Sequence, residues 1–254
     1  QNLHGDFDYE SDETFQIVND LFGILYVPMQ EVPELELSSY SYSSIPRCYT
    51  YMDTGALSTS GVTRLHNHPY LKLQGKGTLV AVIDSGIDYN GVQSKIFSIW
   101  DQTLEGGADG RIPFGREFGR QQIEQALASE NPWEIVPSSD TNGHGTRSAA
   151  TAAGYRIEKD NFCGAAPEAE IVIVKLKQAK NYLRDFYLLP RDIDIFQEDD
   201  IMLAISYVLF IAQEQQMPLS ICIGLGTSMG AHQGEGPLNE YINSIAAFTQ
   251  NAVS

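Results

Sequence analysis

At 254 residues the chain is long enough to bury a large core, and its length predicts one large domain or one domain with a small appendage. Its formal charge of −17, from 33 acidic against 16 basic residues, repels phosphate backbones and anionic lipid, so neither nucleic acid nor a membrane surface is an expected partner. The three cysteines Cys48, Cys163 and Cys222 are odd in number and far apart, which indicates neither a disulfide framework nor a zinc site, and leaves the compartment open.

Residues 1–57 read as a small separate α+β unit. They open on acids (Asp6, Asp8, Glu10, Asp12, Glu13), unlike a signal peptide. They continue with the apolar run at 22–27 and the Ser/Tyr-rich stretch at 38–44, broken by Pro28, Pro33 and Pro46. A polar linker at 53–63 leads through Asn67, His68 and Pro69 to Gly75 and Gly77. His66 and His68 lack a third ligand, so they read as loop residues, and no metal is expected.

From about residue 58 onward strand and helix patterns alternate, which predicts an α/β domain with a parallel sheet covered by helices. Residues 79–83, 171–174 and 219–223 are the buried-strand candidates. Between the last two, Ile201, Ile205, Val208 and Ala212 recur at helical spacing and read as core. The acids between Asp192 and Asp200 read as a solvated face or loop. No run reaches the ~18 apolar residues that a membrane span needs.

Two segments carry chemistry. In Val80-Ala81-Val82-Ile83-Asp84-Ser85-Gly86, four apolar residues end on an acid and a turn, and an acid at the C-terminal end of a parallel strand lies where open α/β sheets build their sites. A carboxylate that has left water needs donors, and an imidazole N–H is one a hydrolytic triad supplies. In Asp140-Thr141-Asn142-Gly143-His144-Gly145-Thr146, followed by an Ala-rich run, His144 is placed near a helix N-terminus, where the positive end of the dipole favours a neutral ring able to accept a proton. Alone, Asp84 reads as a strand-end cap and His144 as a structural histidine more readily than as catalytic groups.

Taken together and in this order, the two segments resemble the subtilisin-like serine proteases, the subtilases. The likeness spans about residues 60–254 and rests on Val82 to Asp88 and Asn142 to Thr146. Gly164-Ala165-Ala166-Pro167, which runs into the strand at 171–174, supports it. The resemblance makes Asp84 the triad acid and His144 the general base, and implies a subtilisin-like parallel sheet with helices on both faces, incomplete in this chain. Ile99-Trp100-Asp101-Gln102-Thr103 and the stretch before Asp140 look most like the Csp-type subtilases of spore germination. Some of those process the precursor of a cortex-degrading hydrolase and others have lost triad residues, so a spore-associated or extracytoplasmic place is implied. Residues 1–57 then become a propeptide, chaperone and inhibitor, whose tail lies in the substrate cleft and is cut between about Tyr49 and Thr63.

The nucleophile is the missing part. Gly226-Thr227-Ser228-Met229 copies the words around a subtilase serine, and Gly224, Gly226 and Gly230 mimic a dinucleotide fingerprint. Both chemistries need a helix to begin at that turn, whereas residues 231–237 are glycine-rich and the next helical run starts at Leu238. In the subtilase order Gly224, Leu225 and Gly226 resemble instead the edge that pairs with an extended peptide substrate. Arg147 and Ser148 depart from the family pattern, as does Ala150, which stands where the family commonly has glycine. Ser254 comes before the places of the oxyanion asparagine and the serine, which leaves the sheet an open edge, so the expectation is the N-terminal part of a larger protease. Its partners would be a peptide or protein substrate, its own propeptide and the remainder of the catalytic domain, with no cofactor. The rival reading is an inactive subtilase-fold protein that signals by binding; a nucleotide-binding domain fails for want of a phosphate loop.

Overall fold

A computed structural model of the chain describes residues 15–26, 46–51, 61–91, 95–106, 111–155, 157, 162–227, 234–248 and 252–253. In chain order its elements begin β1 (Phe15–Ile17), β2 (Gly23–Leu25), β3 (Cys48–Tyr51), α1 (Val62–His66), β4 (Leu79–Asp84), β5 (Ile96–Asp101), β6 (Arg116–Gly119), α2 (Arg120–Leu127) and α3 (Pro132–Ile135). They continue with α4 (His144–Ala153), β7 (Glu170–Lys175), α5 (Asn181–Phe186), β8 (Phe196–Gln197), α6 (Glu198–Gln215), β9 (Leu219–Ile223), β10 (Leu225–Gly226), α7 (Pro237–Phe248) and β11 (Ala252–Val253).

The three runs expected as buried strands are the strands β4, β7 and β9, neighbours with β4 between the other two; β4 and β7 are buried, whereas β9 is buried only at Leu219. The six-stranded sheet runs β11-β9-β4-β7-β5-β6. Five of its strands are parallel; β6 is antiparallel to β5, so the sheet is mixed where an all-parallel one was expected. The chain reaches β6 from β5 through a loop instead of a crossover helix, and a direct return of that kind reverses the strand.

Alternation along β4 sorts its side chains between two cores. Leu79, Ala81 and Ile83 pack with Ile201, Ile205 and Val208 of α6 and Tyr241 of α7. Val80 and Val82 face Ile123 and Ala126 of α2 and Ala149 and Ala153 of α4 on the other side. Helices thus cover both faces, and each Leu, Ile or Val buried in these layers contributes about 1.5–3 kcal/mol at most. The central strand is rigid because both of its faces and both of its edges are occupied.

The described part of the N-terminal region divides. β1 and β2 form an antiparallel hairpin that rests on α7, with Phe22 edge-on to Tyr241 at 6.3 Å between centroids and Asn19 Nδ2 donating to Ser244 Oγ at 3.3 Å. β3 joins neither of these strands. It runs antiparallel between β8 and β10 in a separate three-stranded sheet. The boundary expected at residue 57 lies outside the described residues.

One expectation about charge is corrected. At the start of α6, Glu198 and Asp200 are buried, not solvated, and Asp200 accepts from Lys177 Nζ. Burial first, and then the neighbouring Asp199, push the Asp200 carboxyl up, against the pull of Lys177, to about 7. The acidic run misled because it enters a helix whose first turn is covered by other segments.

Candidate active site

Asp84 is the last residue of β4, and its carboxylate is 1 % exposed. Its Oδ1 accepts the Ser85 N–H at 2.7 Å, a bond across the strand end that fixes the carboxylate plane. On α4, His144 is the first helical residue; Gly143 before it takes the left-handed φ of +78°, and Asn142 Oδ1 accepts the His144 N–H at 2.8 Å. This Asn-Gly pair turns the chain sharply into the helix and satisfies one of its orphan donors.

α4 lies close enough to the turn after β4 that only glycine fits at 145. A Cβ there would stand 2.2 Å from the Gly86 carbonyl oxygen. The close approach brings His144 Nδ1 to 2.8 Å from Asp84 Oδ1 and 2.9 Å from Oδ2. With a carboxylate facing Nδ1, the ring holds its proton there, and Nε2 is the basic nitrogen.

A second carboxylate ties the two segments together. Asp140 Oδ1 accepts from Ser85 Oγ at 2.8 Å and from Gly143 N at 3.0 Å, while its Oδ2 accepts from Thr146 N at 2.8 Å and Thr146 Oγ1 at 2.6 Å. Ser85 Oγ in turn accepts the Gly145 N–H at 2.9 Å. Burial raises the Asp140 pKa, but the hydrogen bonds from Thr146, Ser85 and Gly143 outweigh it and hold the carboxyl below its ordinary range. In the sequence Asp140 is visible only as part of a helix-start signal.

Of the residues expected to bind substrate, Gly224 lies against this pair. Gly224 follows β9, and a Cβ built on it would fall 2.6 Å from Asp84 Oδ2, 3.0 Å from His144 Cε1 and 3.2 Å from Ser148 Oγ. Leu225 and Gly226 form β10 and pair with Tyr51 and Thr50 of β3. On the far side of β3, Cys48 and Tyr49 pair with Gln197 and Phe196. An extended segment therefore occupies a slot between two short edges, one of which leads to the Asp84–His144 pair. Sequence reasoning missed β8 and the lining of this slot, since a two-residue strand has no readable period.

The serines nearest the pair are unsuited to attack. Ser148 is 2 % exposed, one helical turn beyond His144, and Ser85 is engaged with Asp140 and Gly145. Ser228 lies outside the described residues. His66 Nε2 pairs with the Ala165 carbonyl at 2.7 Å, and His68 Nδ1 accepts the Tyr70 and Leu71 N–H groups, so both rings pin the segment before β4. Among the described residues no group of three or more His, Cys, Asp or Glu is placed to hold a metal ion.

Residues 75–187, which contain both Asp84 and His144, match the model of the subtilase family. The structure of the CspB protease of Clostridium perfringens is similar, with a TM-score of 0.61 and 28 % identity over 76 % of this chain. An S41 psychrophilic protease aligns at a TM-score of 0.44 and 18 % identity over 74 % of it. This chain spans 38 % of the first structure's chain and 48 % of the second's. No curated protein matches the chain. Over residues 75–187 the chain is thus similar in sequence to the subtilases, and its fold is similar to that of a Csp-type protease, which marks it as subtilisin-like.

Proposed function

We propose that this chain supplies the acid, the base and the substrate edge of a subtilisin-like serine endopeptidase, and that its own N-terminal segment occupies the substrate cleft. The observation that carries the reading is β3: a strand held antiparallel between β8 and β10, beside the glycine that lies against Asp84 and His144. Backbone pairing of this kind gives a peptide affinity without demanding particular side chains.

In the proposed reaction, a serine supplied from outside residues 1–254 attacks the scissile carbonyl. His144 Nε2 takes its proton and returns it to the leaving amine, and water then cleaves the acyl-enzyme with the same base. Asp84 keeps the imidazole oriented through Nδ1 and stabilises the imidazolium; its 1 % exposure keeps water from competing for that bond. Gly224, Leu225 and Gly226 hold the peptide. Cleavage between about Tyr49 and Thr63, in or after the strand that pairs with Leu225 and Gly226, would make the residues before it a propeptide. The likeness to a Csp protease supports a germination role, with the precursor of a cortex-degrading hydrolase as substrate.

The natural full-length protein, treated with a fluorophosphonate probe, is expected to be labelled at one serine, and the His144→Ala variant is expected to lose the label. Its N-terminus is expected between about residues 50 and 63. A wild-type protein that takes no label overturns the proteolytic reading in favour of an inactive subtilase fold.

A further inference from the structure

The ring of His144 is held by Asp84, and its main chain is held by a series of hydrogen bonds that begins at a buried cation. Arg184, on α5, is 5 % exposed. Its Nη1 donates to the carbonyls of Pro190 at 2.9 Å and Ile193 at 3.0 Å, so the loop from α5 to β8 is folded around it. Its Nη2 donates to Gln178 Oε1 at 2.6 Å, and the same oxygen accepts the Ile195 N–H at 3.0 Å. With Oε1 committed twice, Gln178 presents its amide nitrogen Nε2 to Asp194 Oδ1 at 2.7 Å. Asp194 Oδ2 accepts from Asn142 Nδ2 at 2.8 Å, and Asn142 Oδ1 accepts the His144 N–H at 2.8 Å. The segment that enters β8 and the turn that starts α4 are thus joined side chain to side chain.

Asp140 fixes the N–H groups of Gly143 and Thr146, whereas that of His144 falls to Asn142. Asn142 is exposed, and an exposed asparagine is free to turn its amide so that nitrogen in place of oxygen faces the His144 N–H. A carboxylate is an acceptor only, and one placed at 2.8 Å from Nδ2 fixes the amide with Oδ1 toward His144. Resting on the reading of His144 as the general base, we infer that Asp194 is a positioning residue: through Asn142 it sets the first turn of α4, and with it the ring that takes the proton. The bonds from Asn142 and Gln178 to Asp194 are exposed, so they add little to global stability and act on local alignment.

The test has two arms. In the first, peptide cleavage by the natural full-length protein is compared with that of its variants. Asp194→Ala and Asn142→Ala are each expected to lower kcat about tenfold with KM within about twofold of wild type, and the double variant is expected to lose no more than the worse single, because both cut one series of bonds. Asn142→Asp alone sets two carboxylates face to face and is expected to lose about as much. Combined with Asp194→Asn it exchanges donor and acceptor, so that the amide at 194 donates to the carboxylate at 142, which still accepts the His144 N–H, and kcat is expected to return to within about threefold of wild type. Additive losses, or an exchanged pair no better than Asn142→Asp, overturn the inference. In the second arm the 254-residue chain is isotopically labelled at histidine alone, which leaves five amide signals to resolve. The His144 amide is expected to exchange with solvent about threefold faster in Asp194→Ala and at the wild-type rate in the exchanged pair, and an unchanged rate in Asp194→Ala overturns the inference. If no peptide is cut and no serine is labelled, proteolysis fails as a function while the exchange arm still decides whether Asp194 holds His144.

Discussion

The two carboxylates of the site have different work because their partners differ. Asp84 receives a backbone N–H and the ring of His144; Asp140 receives Ser85, Gly143 and Thr146. On the proposed reaction, Asp84→Asn in the natural full-length protein presents an amide to Nδ1 and favours the wrong tautomer, so kcat is expected to drop about four orders of magnitude while the fold persists. Turnover within tenfold of wild type would remove Asp84 from the mechanism. Asp140→Asn acts on alignment and stability. The folded pKa of Asp140 lies below its ordinary 3.8, so its contribution is present above that value and is lost as pH falls through the folded pKa. At pH 7 the variant is expected to melt a few degrees lower, and the gap to close below about pH 4. A gap that does not change with pH would mean that the carboxylate charge is not what matters. Asp84 and His144 were legible in the sequence because each lies in a contiguous word, strand-acid-turn and Asn-Gly-His-Gly, that carries its local geometry. Glu198 was not, because what buries it, Arg47 and Leu238, is distant in sequence.

At the scale of elements, the site is set by how near α4 comes to β4. Small residues make the approach possible, and Gly145 against the Gly86 carbonyl is its tightest point. Gly145→Ala puts a methyl against backbone that cannot rotate away, so α4 must shift and carry His144 with it. The variant is expected to lose about 1–3 kcal/mol in urea unfolding, together with the Asp84–His144 bond. The bond reads out as the loss of a downfield Nδ1 proton resonance in NMR, and a retained resonance would show that α4 tolerates the methyl without moving His144. The strands β4 and β7 were readable because burial on both faces leaves unbroken apolar runs, and α6 because its run is long and periodic; β9, buried only at Leu219, was readable from its apolar Ile221-Cys222-Ile223. β5 and β6 were not: β5 interleaves Ser98 and Asp101 with its apolar residues, and β6 has Arg116 and Glu117 at a sheet edge. The same limit hid the sheet of β8, β3 and β10, which exists by pairing between distant segments and not by pattern within any one of them.

For the whole molecule the dominant electrostatic fact is a charge of −17, and repulsion among its carboxylates grows as they ionise. Asp200 adds a local contribution of the same sign. It is fully buried beside Asp199, and its folded pKa is pushed up to about 7 from an ordinary 3.8, with burial as the largest cause. Below 3.8 the group is protonated whether the chain is folded or not. Between 3.8 and about 7 the unfolded chain releases the proton and the folded chain keeps it, so stability falls as pH rises; above 7 the loss is complete. The full swing is a few kcal/mol at most, at about 1.4 kcal/mol per pH unit. General repulsion acts on the wild type and on Asp200→Asn alike, so the difference between their melting curves isolates this residue. Asn has no proton to lose, and at pH 4 the wild-type carboxyl is itself protonated in the folded chain, so Lys177 faces a neutral partner in both proteins and the two start close together. From pH 4 to 7 the wild type is then expected to lose several degrees of Tm relative to Asp200→Asn. Curves that stay parallel across this window would mean that Asp200 is ionised in the folded chain throughout, with Lys177 and the first turn of α6 supplying enough donors to hold the charge.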